Sequence, residues 1–335
     1  MDGFREQLIA WIRAWFVKLR GRELLRERVS AWFCALPPGC SLACAWAFRV
    51  AGLYDSSTLA MFESAARRRG RARDWLDYCS MLRRMGMRIR SEDFSELWNR
   101  VPHLSCRTKH WVYRVGAEFG HLDESAWLHT EDPVARVVRL TQGDNGRRFE
   151  SRVREMAVRG GICVVGNSAS LRGRALGEAI DAFGMVVRFN FFEGSSASDL
   201  GKKLCVWVGS PSFRGEVPKP REAVIISGPE MDWVLRDWTK YRGAHQGGIP
   251  VLSVPRSVWR DCVEILGAPP SSGFLILFWI RRILGGWQGV AIAGIGAQGS
   301  TYHLAGPHHA PTAVHDFHAE AQLVDSWECE GLKRL

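Results

Sequence analysis

Several familiar signatures are missing from this 335-residue chain, and each absence removes a class of protein. The longest apolar runs, such as Leu8 to Ile12 and Phe274 to Ile280, fall far short of the roughly 18 residues a membrane-spanning helix needs. The N-terminal apolar segment is cut by Arg13 and Lys18 and is followed by no small-residue cleavage site, which excludes a secretory signal. No CxxC pair occurs among the nine cysteines, an odd and scattered set. That argues for buried free thiols in a reducing, cytoplasmic compartment. The loop opened by Gly166-Asn167-Ser168 lacks GxGxxG and so is not a dinucleotide fingerprint, and no Gly-Lys-Ser/Thr follows it to make a P-loop. HExxH is absent as well, so the common zinc hydrolase pattern is excluded.

What remains is the composition of a folded protein, with 46% hydrophobic and 24% charged residues. The length favours two domains, read here as a basic α-helical domain at 1–150 and an α/β domain at 151–335. The net charge of +10 is carried almost entirely by residues 1–159, while 160–335 is close to balance. A partner surface on the N-terminal half follows. Residues 3–33 read as one helix, with Phe4, Leu8, Trp11, Ile12, Trp15, Phe16 and Leu19 on one side and arginines elsewhere. Such a helix suits either an anionic membrane surface or packing on its neighbours. From 41 to 158 the pattern is helical, with breaks at Gly70, Pro102, Gly120 and Gly143. Three segments open alike, at Trp46, Trp75 and Trp111, at spacings near those of helical-hairpin repeats. The Arg67–Arg71 run offers charge to lipid or nucleic acid, but no aromatic-basic strand or recognition-helix pattern supports nucleic acid.

After Gly160 strands and helices alternate. Strands are expected at 161–165, 185–190, 204–208, 222–227, 250–254 and 288–294, with helices near 171–182, 230–240, 257–266 and 272–284. This is an α/β fold with a mostly parallel sheet and clefts at strand carboxyl ends. Three constellations stand out. Gly161 to Asn190 is a strand–loop–helix–strand unit that places Asn167, Ser168 and Asn190 at neighbouring strand ends, where uncharged amides suit a ribose or base edge. Ser271-Ser272-Gly273 opens an apolar helix after two prolines; its N–H groups offer themselves to an anion, or the serines simply cap a core helix. His308-His309 and then His315, His318 and Glu320 bring imidazole beside carboxylate. Proton transfer fits this set better than zinc, and no metal is expected.

In this order the three constellations resemble the sialyltransferases, glycosyltransferase family 29. The large sialylmotif is matched by Cys163, Val164, Val165, Gly166, Asn167, Ser168, Leu171, Gly173, Gly177, Ile180, Asp181, Val187, Arg188, Phe189 and Asn190. Asp199-Leu200-Gly201-Lys202 resembles its continuation, and Pro270 to Gly273 the small motif. His308-His309 sits at the third motif, and His315-x4-Glu320 resembles the very small one. The likeness spans about 160–325.

The resemblance implies a GT-A-like (sialyltransferase variant) fold and an inverting transfer of a 2-keto sugar acid from a cytidine monophosphate (CMP) donor to a glycan or lipid-linked hydroxyl. Sialic acid is the typical donor sugar; 3-deoxy-octulosonate (Kdo), or nucleotide binding without catalysis, are the alternatives. No metal or other cofactor is implied, and no DxD occurs. By position, Asn167 and Asn190 would contact the nucleotide, and Ser271, Ser272 and Gly273 the phosphate or donor carboxylate. His308 or His309 would steady the leaving phosphate, His315 would be the general base, and Glu320 would support. Three departures are visible. Leu284 stands near the partner cysteine expected for Cys163, Ala310-Pro311 replaces the tyrosine after the third-motif histidine, and a basic helical domain stands in for a membrane anchor. Together they fit a bacterial-type cytoplasmic enzyme, peripheral on the inner membrane face.

Overall fold

The computed structural model describes residues 31–122, 144–192, 197–210, 213, 215–227, 241, 243–244, 247–295 and 315–335. The expected helix at 3–33 therefore lies outside the described residues up to 30, as do the helix expected at 230–240 and the pair His308-His309. The chain forms two compact units. One comprises Met1–His129, Arg260–Pro269 and Ala313–Asp316; the other comprises Thr130–Trp259, Pro270–Thr312 and Phe317–Leu335.

The first unit is helical. α1 (Pro38–Val50) begins with proline in its first turn, where a missing N–H costs nothing. α2 (Ser56–Arg69) is capped by Asp55, whose carboxylate accepts the Thr58 N–H at 2.8 Å, and it ends at left-handed Gly70. α3 (Ala72–Arg84), α4 (Ser91–Trp98) and α5 (Cys106–Glu118) follow, each packed on its predecessor in the chain. Met61, Phe62, Met81, Ile89 and Leu97 form the buried centre. The three tryptophans do not hold equivalent places. Trp46 is late in α1, half-buried, and bonded to Asp77; Trp75 is buried in the first turn of α3; Trp111 is buried in mid-α5.

The arginine run is tied to the protein. Arg67 pairs with Glu63 and with Asp93 at 3.1 Å, Arg68 donates to the carbonyls of Cys34 and Leu36, and Arg69 pairs with Asp74 at 3.1 Å. Nor are all the cysteines buried. Cys79, Cys163, Cys205 and Cys262 are, but Cys40 and Cys329 are exposed because they lie in the first turn of α1 and at the end of the last helix.

In the second unit α6 (Asn145–Arg159) leads into a seven-stranded sheet. Its strands are β1 (Ile162–Val165), β2 (Met185–Phe189), β3 (Val206–Gly209), β4 (Ala223–Ile226), β5 (Val251–Ser253), β6 (Val290–Ala293) and β7 (Lys333–Arg334). Every pairing is parallel, in the order β5-β4-β3-β2-β1-β6-β7. β1 to β4 and β6 are buried along their whole length, as parallel strands covered on both faces must be. The helices of this unit include α7 (Gly177–Asp181), α8 (Ala197–Leu200), α10 (Ser272–Leu284) and α11 (Phe317–Cys329). α9 (Arg256–Leu266) is divided between the two units. Phe149 of α6 and Trp279 of α10 meet with ring centroids 5.0 Å apart.

The expected helix at 171–182 is not continuous. A 3-10 turn at Ala169–Leu171 gives way to an extended stretch with positive φ at Gly173 and Ala175, and only Gly177–Asp181 is α-helical. The cause is distant in sequence: the Asp199 carboxylate accepts the Gly173 and Ala175 N–H groups at 2.9 and 3.0 Å and holds the left-handed turns in place.

Candidate functional site at the sheet's switch point

The strand order places one crevice. From β1 the chain builds outward to β5 and then returns to β6 on the other side of β1. β1 is thus the strand at which the order reverses, and an open α/β sheet binds ligands at the strand carboxyl ends beside such a reversal. The β1 exit is Gly166-Asn167-Ser168, and the β6 exit begins at Gly294. The two exits approach so closely that a Cβ on Gly166 would sit 2.2 Å from the Gly294 carbonyl oxygen. Only glycine fits there.

Asn167 and Asn190 are brought to adjacent strand ends, and hydrogen bonds fix the orientation of each amide. Asn167 Nδ2 donates to the Phe189 carbonyl at 2.9 Å, and Asn190 Oδ1 accepts the Ser210 N–H at 2.8 Å. A carbonyl only accepts and an N–H only donates, so neither amide can be flipped. Among the described residues, Asn167 Oδ1 is left as an acceptor and Asn190 Nδ2 as a donor. Asn190 is also one of two non-glycine residues with positive φ among the described residues, at 43°, a conformation asparagine tolerates better than most. Its carbonyl accepts Trp207 Nε1–H at 3.0 Å. Ser168 accepts the Ser170 N–H at 3.1 Å and bonds the Ser170 hydroxyl at 2.8 Å.

Most of the other residues that carry the resemblance build this geometry. Leu171 and Ile180 are core. A Cβ on Gly177 would lie 2.1 Å from the Ala197 carbonyl oxygen. Asp181 accepts the Lys202 and Lys203 N–H groups at 2.8 Å. Arg188, 1% exposed, donates to the carbonyls of Leu200 and Lys203 at 2.5 and 2.8 Å, and burial draws its guanidinium below the usual arginine range. Burial pushes the Cys163 thiol up to about 12, which leaves it protonated and unreactive at neutral pH.

Ser271 caps α10. Its hydroxyl accepts the Phe274 N–H at 3.3 Å, and Glu320 of α11 accepts both the Ser271 N–H and its hydroxyl at 2.6 Å. Glu320 is 5% exposed, so a buried carboxylate already occupies this corner of the helix N-terminus. As the first N–H groups of α10, those of Ser272 and Gly273 have no intrahelical partner. The nearest atoms to a Cβ on Gly273 would be Ile295 side-chain atoms at 3.6–3.9 Å, an ordinary contact, so packing alone does not demand glycine here. Ser272 Oγ lies 2.6 Å from the hydroxyl of Ser227. Sequence reading missed Ser227, whose only signal is a small polar residue closing a buried apolar strand.

His315 belongs to the helical unit, where its Nδ1 lies 2.9 Å from the Pro269 carbonyl oxygen. The carbonyl accepts, so Nδ1 carries the hydrogen and the lone pair of the neutral ring sits on Nε2. His318 is exposed on α11.

Two solved structures of a mammalian sialyltransferase are similar to this chain at 20% identity. One, in complex with Gal-beta-1-3GalNAc-ortho-nitrophenol, aligns over 64% of this chain and 86% of its own with a TM-score of 0.44. The other aligns over 70% and 86% with a TM-score of 0.45. No family model and no curated protein matches the chain.

Proposed function

We propose that this protein is an inverting glycosyltransferase that moves a 2-keto sugar acid, sialic acid or Kdo, from a CMP-activated donor to a hydroxyl of a glycan or lipid-linked acceptor. The observation that carries the reading is a coincidence of motif and topology. The longest stretch resembling the sialyltransferases includes the loop leaving β1 beside the sheet's switch point, and Asn167 Oδ1 and Asn190 Nδ2 have no partner among the described residues. An acceptor and a donor without charge suit the hydroxyls and base edge of a nucleotide, and the N–H groups of Ser272 and Gly273 suit its phosphate. His315 serves as general base through Nε2, with Nδ1–H held by Pro269. Attack of the deprotonated acceptor oxygen on the anomeric carbon expels CMP with inversion. His308 or His309 steadies the departing phosphate. Glu320 orients Ser271 and does not react. No metal or cofactor is required by this scheme.

Among the described residues no helix is long and apolar enough to cross a membrane. Docking of residues 3–33 on an anionic membrane surface at the cytoplasmic face belongs to the same proposal, and loss of liposome binding on their deletion would support it. The experiment that tests the transferase reading is a CMP-release assay with CMP-sialic acid and CMP-Kdo in turn. Release that depends on His315 supports the reading. Nucleotide binding without release from either donor would identify a non-catalytic binding protein instead.

A further inference from the structure

Ser227 follows β4 and is 2% exposed. Its hydroxyl lies 2.6 Å from Ser272 Oγ and 3.3 Å from the Gly209 carbonyl oxygen, and its N–H donates to the same carbonyl at 2.9 Å. Each serine hydroxyl carries one hydrogen, and a carbonyl can only accept. Both hydroxyl contacts are hydrogen bonds in one arrangement alone, in which Ser227 donates to Gly209 and Ser272 donates to Ser227. The reverse polarity leaves two oxygens facing each other across 3.3 Å in a buried place, which low dielectric penalises. Ser272 Oγ then has its hydrogen committed and presents only lone pairs.

We infer that Ser227 is a positioning residue that makes Ser272 a hydrogen-bond acceptor for a hydroxyl or amino group of the bound nucleotide, and not a donor to its phosphate. This rests on the CMP-donor reading and sharpens it. The anion is left to the N–H groups of Ser272 and Gly273, while the Ser272 hydroxyl reads either a ribose hydroxyl or the cytosine amino group. The two sources share one chemistry, a polarised hydrogen arriving at Ser272 Oγ.

Calorimetric titration of the full chain with CMP, UMP, 2′-deoxy-CMP, 3′-deoxy-CMP and cytidine separates the possibilities. Wild type should bind CMP better than one of the three altered nucleotides by about five- to tenfold, the worth of one hydrogen bond. UMP as that ligand identifies the amino group, and a deoxy analogue identifies its missing hydroxyl. The preference should vanish in Ser272→Ala and in Ser227→Ala and persist in Ser227→Thr, which keeps the hydroxyl. The ratio of CMP to cytidine affinity should be unchanged in Ser272→Ala. A collapse of that ratio would mean that Ser272 donates to phosphate and would overturn the inference. So would a nucleotide preference that survives Ser272→Ala, and that comparison stands even where Ser227→Ala fails to fold. Wild type that binds no CMP at all would instead bring down the donor reading.

Discussion

The two units employ carboxylates in different ways. In the helical unit Asp74, Asp77 and Asp93 are almost fully buried and face arginine side chains, Arg69, Arg73 and the pair Arg67 and Arg90. In the sheet unit Asp181, Asp199 and Glu320 accept backbone N–H groups. The consequences differ in sign. Burial outweighs the nearby arginines at Asp74 and Asp77 and raises both carboxyls above the usual range. The Gly173 and Ala175 N–H groups lower Asp199 below it. A long arginine side chain can hold a carboxylate in several geometries, whereas two backbone N–H groups fix both the carboxylate and the loop. In the helical unit the Arg69–Asp74 and Arg67–Asp93 pairs join different helices, whereas in the sheet unit Asp181 and Asp199 set loop conformations.

That division predicts effects of very different size. The largest concerns chemistry. His315→Ala should cut turnover by about 10²–10⁴-fold, the usual worth of a general base, while leaving CMP affinity unchanged by calorimetry. Loss of CMP binding would erase the separation of binding from proton transfer. Next comes the loop scaffold. Arg188→Ala removes two hydrogen bonds from a buried cation, so chemical denaturation should show roughly 3 kcal/mol less stability. A loss below about 1 kcal/mol would mean the Leu200 and Lys203 carbonyls find other partners. Glu320→Ala, which orphans the Ser271 N–H and hydroxyl, should cost about 1–3 kcal/mol by the same measurement.

The smallest effect is the pH response, and it tests the comparison most evenly. A carboxyl raised in the folded state binds its proton more tightly folded than unfolded, so ionised Asp74 and Asp77 subtract stability at neutral pH. The helical unit should gain stability as pH falls through their raised values toward the unfolded value near about 3.9. Asp199 works the other way. Its contribution is complete above the unfolded value and is lost only as pH falls through its lowered folded value. Carboxyl titration by NMR should therefore place Asp74 and Asp77 on the high side of an ordinary aspartate and Asp199 on the low side. All three on one side would break the comparison.

Much of the sheet was legible because its strands are continuous apolar runs, such as Ile162–Val165 and Ala223–Ile226, bounded by glycine or polar residues. β7 was not legible, since Lys333–Arg334 is two exposed basic residues placed by pairing with β6. Helix Phe317–Cys329 carried a readable signal in the spacing of buried Glu320, Val324 and Trp327, which attention to the histidines obscured. The broken helix at 171–182 depends on Asp199, and the polarity of Ser272 depends on Ser227, both far off in sequence. Propensity sees only neighbours, so such long-range constraints emerge only from the fold. Of the site itself, Asn167 and Asn190 were legible as polar strand ends. Which amide atom of each is left without a partner among the described residues was decided by the Phe189 carbonyl and the Ser210 N–H.

The central claim, that the switch-point loop holds a CMP-activated sugar acid for transfer, is tested most directly by CMP release. Wild type should liberate CMP from CMP-sialic acid or CMP-Kdo far faster than buffer, and His315→Ala should return the rate to within about a hundredth of the wild-type value. Equal release by wild type and variant, or none from either donor, would contradict the account.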